Sequence, residues 1–274
     1  MQAGQEIASS DRIRDIAGAP VLGVLVDLDG TLIPIAQTPG QAQTDEEVAR
    51  VLVELAQARR TRVVVISGRP RASLEAQVGA VPGVWLVAEH GAWRRDDAGW
   101  HALPLIGTPP DGIERTLAAL ASSHPGAFVE RKTWSVCLHY RRVRASSREA
   151  LVVESLSAMH AWIAEHPEYE LLDADAALEV RHRGAHKGSA VSWLRERLGP
   201  GARLIALGDD FTDEDTFAAM SASDASILVG PRDRPTHADR RLESPADVRA
   251  FLRWVARVRS PDAGPAPERL PRPR

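Results

Sequence analysis

Strand-like and helix-like patterns alternate along the first hundred residues. Short runs of aliphatic and β-branched residues, ended by glycine, proline or charged residues, are typical of strands buried on both faces. Between them, apolar residues recur every three or four positions, as on one face of a helix. The predicted strands are 21–30, 61–70 and 84–95, and the predicted helices are 44–60, capped by Thr44, and 72–81. This order favours a parallel, doubly wound sheet.

The pattern changes after a proline- and glycine-containing break at 107–112. The following segments predict a helix (112–123), an antiparallel strand pair (127–143), a long helix (148–166) and a hairpin (169–184). Helical and strand patterns then return, the last helix being 244–258. We therefore predict a weakly structured lead at 1–19, a core in two parts (20–107 and 184–258), an inserted α+β domain (108–183) and a disordered, proline-rich tail (259–274).

Composition narrows the possible partners and the compartment. The chain has 274 residues, and a formal net charge of −3 gives no reason to expect nucleic acid or an anionic membrane as a partner. It contains neither a signal-peptide pattern nor an apolar run of transmembrane length. Cys137 is the single cysteine, which excludes an internal disulfide and fits a reducing compartment. We expect a cytoplasmic monomer that acts on a small molecule.

Charged and polar residues follow three of the predicted strands. The first strand ends in Asp27 and Asp29, and the second is followed by Ser67 and Arg69. The strand near residue 205 is followed by three further aspartates, namely Asp209, Asp210 and Asp213. Because open parallel sheets bind ligands outside the carboxyl ends of their strands, these side chains should gather at one edge.

Converging carboxylates need a cation or protons to relieve their repulsion. Oxygen ligands of this kind favour Mg²⁺, which leaves coordination positions for phosphate oxygens. An aspartate can attack phosphorus, and a second acid can protonate the leaving alkoxide and then activate water. Each motif alone has an ordinary alternative, such as a surface loop or an acidic helix start. The ordered combination is what indicates phosphoryl transfer.

The two lysines of the chain point to the same chemistry. Lys132 and Lys187 stand against 32 arginines, and asparagine is absent. Lysine is a compact point charge, whereas the guanidinium of arginine is wide and planar. A site that holds a phosphoryl group against a metal favours lysine, although chance survival of two lysines is the alternative.

The ordered motifs resemble those of a known superfamily of phosphotransferases. "DLDGTL", Ser67, Lys187 and Asp209–Asp210 match, in order, the four motifs of the haloacid dehalogenase (HAD) superfamily. "ISGRP", "AEHGAW", "VERKTWSVCLHYR", "LEVRHRGAHKGSAV" and "ALGDDFTDEDTF" further resemble the trehalose-6-phosphate phosphatase family over about residues 20–256. The resemblance implies an α/β fold, with a Rossmann-like core, a parallel sheet and an inserted α+β cap.

The resemblance also implies roles for individual residues. Asp27 would be the nucleophile, Asp29 the general acid/base, and Lys187 would hold the phosphoryl group together with Ser67 and Gly68. Mg²⁺ would be held by Asp27, the backbone carbonyl of Asp29 and Asp209, with Asp210 and Asp213 as acidic support. The residues expected to line the substrate cleft are Arg69, Glu89 and His90 from the core and Glu130, Lys132, His139, Glu179 and Arg181 from the cap.

Two positions depart from the family pattern and leave the substrate open. His182 replaces a usual proline, and His186 replaces a frequent asparagine. The expected activity is Mg²⁺-dependent hydrolysis of trehalose 6-phosphate to trehalose and phosphate. The alternatives are a phosphatase for a related sugar or pseudo-sugar phosphate, and a non-catalytic regulatory domain.

Overall fold

A computed structural model describes Ile7 and residues 10–36, 43–174, 176–230 and 234–260. The strands in this part of the chain are β1 (Leu22–Asp27), β2 (Thr61–Ile66), β3 (Val84–Ala88), β4 (Trp93–Asp96), β5 (Gly99–Ala102), β6 (Phe128–Arg131), β7 (Ser135–His139), β8 (Tyr169–Ala174), β9 (Ala177–His182), β10 (Arg203–Gly208), β11 (Ala225–Val229) and β12 (Arg240–Leu242). The helices are α1 (Asp11–Ala17), α2 (Glu46–Gln57), α3 (Arg71–Val78), α4 (Asp111–Ser122), α5 (Ala145–Glu165), α6 (Gly188–Leu198), α7 (Phe211–Ala218) and α8 (Pro245–Val258). No helix among these residues is both long and apolar enough to cross a membrane.

In the larger sheet, β1 lies between β10 and β2, the strands that are followed in sequence by Asp209 and Ser67. Its order is β12-β11-β10-β1-β2-β3-β4-β5, with parallel pairing from β12 to β3 and antiparallel pairing of β4 and β5. Val24 is in register with Ile205 of β10 and Val63 of β2. The carboxyl ends of β1, β2 and β10 therefore meet at one edge, as the sequence predicted.

Helices cover both faces of the parallel part of this sheet. Alternate β1 residues such as Val24 pack with α2 and α8, whereas Leu25 packs with α6 and α7. Because both faces are buried, the central strands are almost uniformly apolar, which explains their continuous hydrophobic runs. The predicted α/β class with a doubly wound parallel sheet is confirmed.

The smaller sheet lies between β5 and α6 in the sequence. It is antiparallel, with the order β6-β7-β9-β8. Residues of α4 and α5, such as Leu117 and Leu151, pack on one of its faces around Val136 and Val180. This α+β unit falls within the predicted insertion, and we call it the cap; its division from the core at residues 108 and 183 stays a prediction.

The single strand predicted at 84–95 is wrong. The strand β3 ends at Ala88, and β4 runs back antiparallel to it. The reversal takes place at Glu89 and His90, whose φ angles of 51° and 57° are left-handed. These conformations are uncommon for residues with side chains, and here they direct two polar residues to the carboxyl edge of the sheet.

Two smaller predictions near the N-terminal end are also wrong. The lead is structured at least in part, because α1 buries Ile13 and Ile16 in the core of the larger sheet. The helix α2 is capped by Asp45, which accepts a hydrogen bond from Val48 N at 2.8 Å, while Thr44 bonds Gln77. The strand β12 was not predicted. The proposed disordered tail lies outside the described residues from residue 261 onward.

Candidate active site

Asp27 and Lys187 form a buried ion pair at the carboxyl edge of the larger sheet. Asp27 is the last residue of β1, and Lys187 directly precedes α6. Lys187 Nζ donates to Asp27 Oδ1 at 2.6 Å and to Asp213 Oδ1 at 2.8 Å. Asp213, expected only as acidic support, thus holds the lysine in place beside Asp27.

Three carboxylates form a compact group that could hold a metal ion. Among the described residues, Asp27, Asp209 and Asp213 each offer an oxygen, and these oxygens lie within 4.8 Å of one another. Thr31 Oγ1 donates to Asp209 Oδ1 at 3.0 Å. Gly30 permits this approach, because a Cβ at its position would lie 2.1 Å from Asp209 Oδ2.

The buried charges in this group shift one another's pKa values. Burial raises the pKa of Asp27, Lys187 lowers it, and the neighbouring Asp213 and Asp209 raise it further. Burial and Asp213 raise the pKa of Asp209 to about 7. The pKa of Lys187 is raised because both of its aspartate partners outweigh its own burial. The group therefore carries a charged lysine and an excess of acidic oxygens, which a divalent cation would balance.

Asp29 lies apart from the three carboxylates and is held by Arg69. Arg69 Nε donates to Asp29 Oδ2 and Arg69 Nη2 donates to Asp29 Oδ1, both at 2.7 Å. This bidentate geometry fixes both the position and the plane of the carboxylate. Arg69 lines the cleft as expected, but its main contact is with the proposed acid/base.

The loop after β2 lines the same cavity as Asp27. Ser67 Oγ accepts a hydrogen bond from Arg69 N at 3.1 Å. A Cβ at Gly68 would lie 2.5 Å from the His90 imidazole, so glycine lets this ring rest against the loop. His90 Nε2 lies 3.2 Å from Glu179 Oε2. Burial lowers the pKa of His90 to about 4, so the neutral ring donates from Nε2 to the carboxylate.

The cap contributes a second buried ion pair above the core. Lys132 Nζ donates to Glu179 Oε1 at 2.8 Å, and Ser135 Oγ donates to the same oxygen. Glu130 lies 3.8 Å from Lys132 Nζ and 3.3 Å from His139 Nε2. Lys132 and the surrounding hydrogen bonds hold the pKa of Glu179 well below its usual value despite its burial.

One cavity of about 230 Å³ connects the carboxylate–lysine group at Asp27 with the ion pair of Lys132 and Glu179 in the cap. The predicted site residues that line it are Asp27, Asp29, Ser67, Gly68, Arg69, His90, Glu130, Lys132, His139, Glu179, Lys187 and Asp210. The cavity thus connects a buried carboxylate–lysine group with polar side chains of the cap. A ligand that carries a phosphoryl group on a larger polar body fits this arrangement.

Comparison with known proteins adds an independent observation. A family model described as trehalose-phosphatase matches residues 25–246. The chain belongs to the trehalose-phosphatase family. A bifunctional trehalose-6-phosphate synthase/phosphatase from Thermoproteus tenax is 34% identical over 90% of this chain and 34% of its own length. The trehalose-6-phosphate phosphatase of Escherichia coli is 32% identical over 84% of each chain.

A solved structure agrees with the sequence comparisons. The C-terminal domain of the Candida albicans trehalose-6-phosphate phosphatase superposes with a TM-score of 0.79 and 26% identity. The superposition covers 90% of this chain and 97% of that domain. This trehalose-phosphatase family member spans about a third of the length of the first curated relatives that it matches.

Two predicted cleft residues of this family member, Glu89 and Arg181, are not among the residues that line the cavity. Glu89 Oε2 accepts a hydrogen bond from Thr133 N at 2.7 Å and so joins core to cap. Arg181 binds Glu170 of the cap and Asp215 of α7, with both terminal nitrogens 3.2 Å from Asp215 Oδ2. Arg181 therefore bridges the two units and is not among the residues that line the cavity; its expected sugar-facing role stays a prediction.

His182, the departure from the family pattern, is also directed away from the cavity. Its Nε2 lies 3.0 Å from the carbonyl oxygen of Ile106, and its ring packs against Trp134 and Tyr169. His182 is therefore not among the residues that line the cavity.

Sequence reasoning missed several residues at the site, among them Ser135 and Phe128. Ser135 bonds Glu179, and Phe128 lines the cavity. Phe128 lies two residues before Glu130 on β6, and Lys132 directly follows that strand. Since side chains on a strand alternate between faces, this spacing was a signal that could have placed Phe128 with Glu130.

Proposed function

We propose that this protein hydrolyses trehalose 6-phosphate to trehalose and inorganic phosphate in trehalose biosynthesis. The observation that carries the proposal is that one cavity is lined by Asp27 and Lys187 at the core and by Glu130, Lys132 and Glu179 at the cap. The family match supports the same activity. Phosphate chemistry would take place at the core, and sugar recognition at the cap.

We assign attack on phosphorus to Asp27. A carboxylate oxygen of Asp27 would form a bond to phosphorus as the bond to the sugar oxygen breaks, giving an aspartyl phosphate and trehalose. Asp29 would donate a proton to the leaving oxygen and then take one from the water that releases phosphate. Lys187 and Ser67 would hold the phosphoryl oxygens in line with Asp27.

We propose Mg²⁺ as the cofactor, held by Asp27 and Asp209 with the backbone carbonyl of Asp29. The fit rests on the oxygen-only donor set and on Gly30, which leaves space for Asp209 to approach Asp27. Bound there, the cation would neutralise negative charge that develops on the phosphoryl oxygens. Asp213 would keep Lys187 oriented, because it accepts from that lysine and from the backbone N–H groups of Asp209 and Asp210.

The cap would read the sugar through its buried polar side chains. Lys132 and Glu179 are nearly inaccessible to solvent in the described structure, with their side chains 4% and 8% exposed. A site built to hydrogen-bond sugar hydroxyls rejects phosphate esters that lack them, because its buried polar groups are then left without partners. A cytoplasmic location and a monomeric state remain predictions from the sequence.

Measurement of phosphate release tests the proposal. The purified protein should release phosphate from trehalose 6-phosphate with Mg²⁺, and EDTA should abolish the activity until Mg²⁺ is restored. A panel of other sugar phosphates identifies a different substrate if one is turned over with a higher kcat/KM. Lack of phosphate release from the whole panel would favour the non-catalytic alternative.

A further inference from the structure

The cap sheet presents two parallel rows of side chains to the cavity. The inner row consists of the register partners Glu130, Cys137, Glu179 and Leu172. The outer row consists of Phe128, His139, Ala177 and Ala174, which are partners in the same way. All eight residues line the cavity.

The inner row lies closer to the phosphate chemistry. Glu179 contacts His90 of the core, and Lys132, which directly follows β6, also contacts Glu179. On each strand, the outer-row residue lies two positions from the inner-row residue, on the side away from Lys132. Two residues of a strand span about 7 Å, so the outer row lies about one ring-sized step along the cap sheet from the row that contacts His90.

Phe128 forms a rigid apolar surface in the outer row. Its ring stacks on His139 with a centroid separation of 4.5 Å and an interplanar angle of 14°. His139 is in turn fixed by Glu130, 3.3 Å away. Phe128 nevertheless remains 37% exposed, and the side chains of Ala177 and Ala174, which follow His139 in the row, are small. The row therefore combines an exposed aromatic ring with room for a ring-shaped ligand group.

We propose that Phe128 is the contact surface for the second sugar ring, the one without phosphate, and thereby selects disaccharide phosphates over monosaccharide phosphates. The inference rests on the proposed function and extends it. A hexopyranose ring has faces of C–H groups that pack on aromatic side chains, and aromatic residues commonly line sites of this kind. The first ring would contact the charged inner row, and the second would rest on Phe128.

The test compares Phe128→Ala and Phe128→Trp with the wild-type enzyme on four esters. These are trehalose 6-phosphate, sucrose 6-phosphate, glucose 6-phosphate and glycerol 3-phosphate. For Phe128→Ala, kcat/KM on the disaccharide phosphate that the wild-type enzyme prefers should fall about tenfold through KM, corresponding to about 1.4 kcal/mol. Activity on the two smaller esters should be unchanged, and Phe128→Trp should retain the wild-type KM. Val153→Ala, which alters a 61% exposed apolar residue of α5, is the matched control.

Each outcome decides the inference. Selective loss on disaccharide phosphates with rescue by tryptophan supports it. Equal losses on all esters, no loss on any, or no rescue by tryptophan would overturn it. If trehalose 6-phosphate is not hydrolysed but sucrose 6-phosphate is, the proposed function fails while the same selective loss still tests Phe128. If the wild-type enzyme hydrolyses neither disaccharide phosphate, both the proposed function and the proposed role of Phe128 are wrong.

Discussion

Lys132 is the cation that compensates the buried carboxylate of Glu179. Its Nζ lies 2.8 Å from Oε1, and the two side chains are 4% and 8% exposed. Lys132→Met keeps an unbranched apolar side chain and removes the charge. Because breaking a buried pair leaves its other charge uncompensated, we expect the free energy of unfolding to fall by about 3–5 kcal/mol at neutral pH.

The pKa of Glu179 gives this loss a pH dependence. Burial alone raises that pKa, but Lys132 and His90 lower it well below the usual value. In the wild-type protein, Glu179 thus stabilises the fold above the pKa of the unfolded chain, and this contribution is lost as pH falls through the folded pKa. Without Lys132, burial dominates and the folded pKa rises. Protonation of Glu179 should then reduce the stability loss as the pH is lowered from 7 to 5.

Denaturant unfolding of four proteins measures the effect. Wild type, Lys132→Met, Glu179→Gln and the double variant form a cycle whose coupling energy should be about 1–3 kcal/mol. Asp111→Asn is a matched control, because it breaks an equally short 2.8 Å pair with Arg131 in which the aspartate is 64% exposed. That control should lose about 1 kcal/mol or less.

The same variants separate stability from sugar recognition. Lys132→Met should lose far more kcat/KM on trehalose 6-phosphate than on glycerol 3-phosphate, since only the sugar ester can bond the cap. Additive energies in the cycle, or a stability loss that is the same at pH 5 and pH 7, would refute the assigned ion pair. Equal catalytic losses on both esters would refute a role of Lys132 in reading the sugar.

Three further predictions concern the core side of the cavity. Asp27→Asn should abolish phosphate release while the circular dichroism spectrum stays close to wild type; normal release would remove Asp27 as the nucleophile. Arg69→Ala frees the carboxylate of Asp29 from two 2.7 Å hydrogen bonds, so kcat should fall about 100-fold with little change in KM, and an unchanged kcat would contradict the positioning role. Gly30→Ala places a Cβ 2.1 Å from Asp209 Oδ2 at a φ of 88°, so half-maximal activity should require more Mg²⁺; an unchanged Mg²⁺ titration would contradict metal binding beside Gly30.

Local sequence patterns were sufficient to locate the edge of the larger sheet at which the candidate site lies. Asp27 and Asp209 each follow a continuous apolar run, and only a strand buried on both faces requires such a run. Parallel strands connected by helices place their carboxyl ends together, so the meeting of these two aspartates follows from strand order. The turn at Glu89 and His90 was not foreseen, because its left-handed backbone has no glycine or asparagine to indicate it.

The sequence by itself determined the α/β class, the place of the α+β segment along the chain and the residue types available for the proposed phosphoryl transfer. Tertiary structure alone decided which charges pair: Asp29 with Arg69, and Arg181 with Asp215 across the boundary between core and cap. The tertiary structure also determined that Phe128 and His139 lie opposite each other in one row of the cap sheet. The two ion pairs join residues that are 40 and 34 positions apart in the sequence. Periodicity indicates which face of an element is buried, but strand register and side-chain pairing depend on how all elements pack together.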